Sequence, residues 1–256
     1  MNTLSTTHSL AELRQTIARL ERQNAQAADR RNLPFGLEEI DNHLPGGGLA
    51  LGCLHEVADT GPGQEHASAA ALMVAGILAR ISGTVIWAAD RRDLFAPALA
   101  GVGLGHGRIL HVAAGNRVLL AMEEGLRHPG LAGVVGEVGR LDLTASRRLQ
   151  LAAEGSGVVA FALRRSRKSA DPALAAPLAA VSRWRIGSLP SAPPVPYAPK
   201  VQGLGPMRWR IDLVRCRGAE PASWIVEACD AKGRLRLATN LADRSLAPPV
   251  GKRRAG

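Results

Sequence analysis

The stretch with the most chemical potential is Val57-Ala58-Asp59-Thr60-Gly61-Pro62-Gly63-Gln64-Glu65-His66-Ala67-Ser68. Glycines between an apolar run and a small-residue helix let backbone amides approach an anion, and the helix N-terminus adds a positive dipole. A phosphate-binding loop of that kind also needs a Lys on the β/γ-phosphates and a Ser or Thr on magnesium. Here Gln64, Glu65 and His66 stand in those places, and the first lysine of the chain is Lys168. Asp59 and Glu65 put negative charge where phosphates would lie, about 1 kcal/mol of repulsion each if partly solvated. Pro62 removes one amide from the cradle. The degenerate loop, with Gly61, Gly63, Gln64, Glu65 and His66 as its positions, therefore predicts a chain with no catalytic residue and no bound cofactor, ATP and magnesium being disfavoured.

Other candidates are weaker. Glu137 ends an apolar run, Leu131 to Val138, where a nucleotide hydrolase of this type keeps a magnesium-linked carboxylate. It reads either as a surviving metal contact or as a strand-end carboxylate beside Arg140. Asp90 reads as a residual general base or as the N-cap of the helix that follows Arg91 and Arg92. The seven histidines (His8, His43, His55, His66, His106, His111 and His128) show no metal-ligand spacing. His55, on an apolar strand, reads as a satisfied core residue. Ser68 and Ser82 lack a nucleophile-elbow context.

The elements that must position these residues alternate regularly. Apolar runs at 53–57, 84–89, 108–113, 131–138 and 157–163 read as strands. Helices over about 65–81, 93–101, 116–127 and 144–154 separate them, the last capped by Asp142 or Thr144. Strands that are continuous apolar runs, each followed by a helix, predict a mainly parallel α/β sheet covered on both faces. Its strand C-terminal ends then share one functional edge. After Leu163 the texture changes: strands at 182–189, 207–216, 223–229 and 234–239 predict a C-terminal antiparallel extension. Residues 1–28 read as an amphipathic helix (9–24, opened by a Ser9–Glu12 capping box) with a linker. Residues 33–240 form the core, and 241–256 a flexible basic tail. The N-terminal helix could bind a partner groove or dock on the core.

Composition narrows the class. In 256 residues, 46% of them apolar, 32 basic side chains face 22 acidic ones, a formal net charge of +10. That apolar content excludes disorder for the bulk of the chain. The longest apolar stretch, 67–79, falls short of the roughly 20 residues of a membrane span. The N-terminus carries no secretory pattern, and three widely spaced cysteines suit reduced thiols, so a cytoplasmic location is expected. Charge is uneven: residues 1–163 carry net −2 and residues 164–256 net +12. An anionic partner would therefore meet the back half. Arg164, Arg165, Arg167 and Lys168, with Arg183 and Arg185 around Trp184 and Arg208 and Arg210 around Trp209, are the candidate contacts for DNA or an acidic partner. Strand alternation predicts that both Trp face the core and the flanking arginines face solvent.

The residues LPFGLEEIDNHLPGGGLALGCLHEV (33–57) resemble the start of the RecA core, and the order of strands and helices through Leu163 is similar to RecA. DRRDLFAPALAGVGL, RILHVAA and VLLAMEEGLRHPGLAGVVGEVGRLDLTASRRLQLAAEGSG resemble ImuA, the RecA-like, sometimes SulA-like, family of bacterial mutagenesis cassettes. The likeness covers roughly residues 33–240. It implies a RecA-like fold and an accessory role in damage-inducible (SOS) translesion DNA synthesis. The implied partners are an ImuB-type Y-family-like protein, an error-prone DnaE-type polymerase, RecA, and single-stranded or primer-template DNA. No catalytic residue carries over to Gln64, Glu65 or His66, so the reading is an adaptor. Two alternatives stand beside it: a DNA-stimulated ATPase with a divergent loop, and a SulA-like inhibitor of cell division.

Overall fold

A computed structural model describes residues 32–91, 93–165, 176–191, 193 and 203–238. The expected helix over 9–24, the tail from 241, Arg167 and Lys168 lie outside the described residues. Among the described residues nine strands form one sheet in the order β11-β10-β9-β8-β3-β7-β6-β4-β5. They are β3 (Leu54–Asp59), β4 (Val85–Ala89), β5 (Ile109–Ala113), β6 (Gly133–Glu137), β7 (Val159–Arg164), β8 (Ser182–Leu189), β9 (Arg208–Cys216), β10 (Ala222–Glu227) and β11 (Arg236–Leu237). From β5 to β8 neighbours run parallel; from β8 to β11 they run antiparallel. A two-stranded ladder of β1 (Asn32–Leu33) and β2 (Leu49–Ala50) flanks the short α1 (Glu38–Asp41).

Side-chain alternation splits the core into two layers. One face of the sheet carries Val57, Trp87, Val135, Phe161, Trp184, Trp209 and Ile211, packed with α2 (Gln64–Ala79) and α3 (Ala96–Gly101). The other carries Leu54, Ala88, Val134, Ala160 and Ala162, packed with α4 (Val118–Leu126) and α5 (Leu143–Ser156). The small residues of α2 bring that helix close to the sheet: Ala69, Ala70, Ala75 and Gly76 are all buried. Asp142 caps α5, its Oδ1 accepting from the Ala145 amide at 2.7 Å. Gly157, at φ 77°, turns the chain from α5 into β7, a left-handed conformation that only glycine adopts without strain.

The two halves meet at β8. It pairs in parallel with β3 and antiparallel with β9, so the extension continues the same sheet. Most expected boundaries hold within one or two residues. The exceptions are α3, which starts three residues later than expected, and β11, which is shortened at both ends. Among the described residues Arg236–Leu237 pair there, and the strand starts late because Asp230 Oδ1 gathers the Lys232 and Arg234 amides into a turn just before it.

Candidate functional site

The C-terminal ends of β3, β4, β6 and β7 open on a cleft of about 490 Å³ lined by Asp59, Gly63, Asp90, Arg91, Glu137 and Arg165, among others. This is the crevice that parallel topology places at the strand ends, beside the N-terminus of α2. The degenerate loop forms one wall and is fastened to β8. The Thr60 amide donates to the Ile186 carbonyl at 3.1 Å, and the Ser188 amide donates to His66 Nδ1 at 2.9 Å. The side chain at the position expected for a magnesium-linked hydroxyl thus holds a neighbouring strand. Glu65 is exposed and does not line the cleft, contrary to expectation. Its carboxylate folds back on Gly63, at the positive end of the α2 dipole.

Glu137 is the strand-end carboxylate of β6, but its arginine partner is not the expected Arg140. Its Oε1 accepts from Trp87 Nε1 at 3.0 Å and its Oε2 pairs with Arg165 Nη2 at 2.9 Å. Arg140 takes no part in either contact. Arg165 continues to Asp93, with Nη1 at 2.6 Å from Oδ2 and Nη2 at 3.1 Å from Oδ1. The guanidinium therefore ties the chain after β7 to the end of β6 and to the loop after β4. Its hydrogen bonds hold the Asp93 carboxyl below the usual carboxylate range. Burial alone would lower the Arg165 guanidinium, but Asp93, Glu137 and Asp59 outweigh it and raise it. Asp90 is exposed at the end of β4 and does not cap the next helix, which begins at Ala96 after Phe95.

Two of the proposed surface arginines are interior groups. Arg164 and Arg183 are buried around one fully buried carboxylate, Glu56. Arg164 Nη1 lies 2.8 Å from Glu56 Oε1, and Arg183 Nε pairs with Oε2. Arg183 does point away from Trp184, as alternation requires, but that face is covered: Arg183 Nη2 donates to the Ala176 carbonyl at 2.7 Å, and Leu178 and Ala180 are buried alongside. Trp184 and Trp209 are buried on the α2 face, so neither is available for base stacking. Arg185 and Arg208 are half-buried, and Arg210 is exposed with its Nε 2.9 Å from Asp212 Oδ1. His55 is the expected core residue, between Ser182 Oγ at 2.6 Å and the Ala50 carbonyl at 2.7 Å. Burial pushes its pKa down to about 4.

The sequence reading missed Glu56, Asp93 and the Trp87–Glu137 contact. For Glu56 a signal existed: a lone carboxylate inside the apolar run CLHEV demands a buried counter-charge. Asp93 carried no such signal. Among the described residues no cluster of three or more His, Cys, Asp or Glu is arranged to hold a metal ion, and no helix is long and apolar enough to cross a membrane.

Comparison with known proteins bears on the family and the fold. Protein ImuA of Caulobacter vibrioides, strain NA1000, is 42% identical over 237 residues, 88% of this chain and 96% of that protein. The chain belongs to the ImuA family. Protein ImuA from a second strain of the same species, CB 15, matches to the same extent. The crystal structure of the RadB recombinase superposes with a TM-score of 0.55 at 14% identity, covering 81% of this chain and all of that one. That likeness is one of fold, and the ImuA-family sheet is RecA-like. No protein-family profile matches the chain.

Proposed function

We propose that this ImuA-family protein is a non-catalytic accessory factor of damage-inducible translesion DNA synthesis. It serves as an adaptor between an ImuB-type polymerase relative and an error-prone DnaE-type polymerase. The observation that carries the non-catalytic half is the cleft's chemistry. A magnesium triphosphate needs a cation at the phosphate loop and a carboxylate oxygen turned to the metal. Here the loop offers Gln64, Glu65 and a His66 engaged with Ser188, while each oxygen of Glu137 already has a protein donor. These residues do not fit the nucleotide. The assembly half is supported by ImuA kinship and by a sheet that keeps the RecA-like frame. Since Arg164 and Arg183 are buried and Arg165 is paired with Asp93 and Glu137, the described candidates left for direct contact with single-stranded or primer-template DNA are Arg185, Arg208 and Arg210, beside Arg167 and Lys168 outside the described residues.

A second reading is favoured by one residue. Arg91 lines the cleft and forms no ion pair among the described residues, so a divergent ATPase would draw its cation there. Two measurements decide. Tagged full-length protein co-expressed with the ImuB-type and DnaE-type proteins is expected to retain both through purification; retention of neither would overturn the adaptor. Phosphate release with and without single-stranded DNA is expected to stay at background. Turnover abolished by Glu137→Gln or Arg91→Ala would instead establish the ATPase.

A further inference from the structure

We infer that Arg165 is a tethered replacement for a metal ion: its guanidinium fills the cation position beside Glu137 and fixes the cleft in a single, ligand-independent form. Two observations converge. Arg165 reaches Glu137 and Asp93 together, at 2.6 to 3.1 Å, the bridging that a divalent cation supplies between two carboxylates. The Glu137 side chain is nearly buried, at 8% exposure, and Arg165 is 29% exposed, so the pair sits in the wall of the cleft and is screened little by salt. The Glu65 carboxylate, outside the cleft lining, lies against Gly63 at the first turn of α2 and meets the positive end of the helix dipole there.

The arrangement also explains a mechanical feature. Arg165 follows β7, Glu137 ends β6 and Asp93 follows β4, and these three strands are adjacent in the sheet. Here the tie is covalent at one end, so the edge is set whenever the chain is folded. This inference rests on the reading of the cleft as non-catalytic, and it adds the residue that makes the cleft so.

The test is a Mn²⁺ titration followed by electron paramagnetic resonance and by the shift in Tm. It uses the wild type, Arg165→Ala and Arg165→Ala/Glu137→Gln. The wild type is expected to show no saturable binding through the millimolar range and no shift. Arg165→Ala exposes the Asp93 and Glu137 carboxylates. It should bind at least tenfold more tightly than wild type, with a Tm raised by the ion, and the double variant should lose that gain. Should Arg165→Ala not fold, Arg165→Gln, which keeps the side-chain length without the charge, carries the same expectation. Wild-type binding equal to that of the variant would overturn the inference, as would the absence of binding in the charge-removed variants or a gain that survives Glu137→Gln. None of these results affects retention of the polymerase partners, so the inference and the adaptor reading fail separately.

Discussion

Glu56 offers the sharpest test of how the fold is held. It is fully buried in β3, and its two oxygens serve Arg164 of β7 and Arg183 of β8, both also buried. Glu56→Gln keeps the size and removes the buried charge that both guanidinium groups share. Breaking a single buried pair costs about 3–5 kcal/mol, because the remaining charge has lost its hydration and its partner. The Glu56 carboxylate pairs with two cations, so the expected loss is about 4 kcal/mol. In a domain of this size each kcal/mol lowers Tm by roughly 2–4 °C, a fall of about 8–16 °C. Thermal and urea unfolding followed by circular dichroism would measure it, with an unchanged urea slope confirming that the native state is altered only in stability. The physical argument also predicts a contrast. Replacing all three by apolar groups (Glu56→Leu, Arg164→Met, Arg183→Met) should stay within about 2 kcal/mol of wild type, since none of these three charges is then buried. A Glu56→Gln protein within about 1 kcal/mol of wild type would refute the reasoning. It would mean that the two arginines reach water in solution.

Two further outcomes follow from single contacts. His55 has a folded pKa of about 4 against an ordinary 6.5, so between those values the unfolded chain binds the proton that the native state refuses. Stability should therefore fall as pH drops from about 6.5 to 4, by about 3 kcal/mol in total, and then level off for this group. The loss should be absent in His55→Gln, and a wild-type stability that is flat across that window would contradict the assignment. Asp142→Ala removes the cap on α5 and should cost about 1 kcal/mol in urea unfolding, with Asp142→Asn recovering most of it.

What the sequence determined by itself was the frame and one absence. Continuous apolar runs separated by helical spacing are read locally, and β8 occupies Ser182–Leu189 as its residues alone indicate. The missing cation at Gln64, Glu65 and His66 is equally local, because a phosphate loop draws its essential groups from consecutive residues. Tertiary structure decided where the charges meet. Strand periodicity states that Arg183 and Trp184 face opposite ways, but not that chain from Ala176 to Ala180 covers the arginine's side. Glu56 and Arg183 are 127 residues apart, and Arg165 and Asp93 are 72 apart. Coulomb attraction and desolvation act over a few ångströms of space and are blind to distance along the chain. A run of arginines therefore reads from sequence as a basic surface, until the fold turns its members toward buried carboxylates.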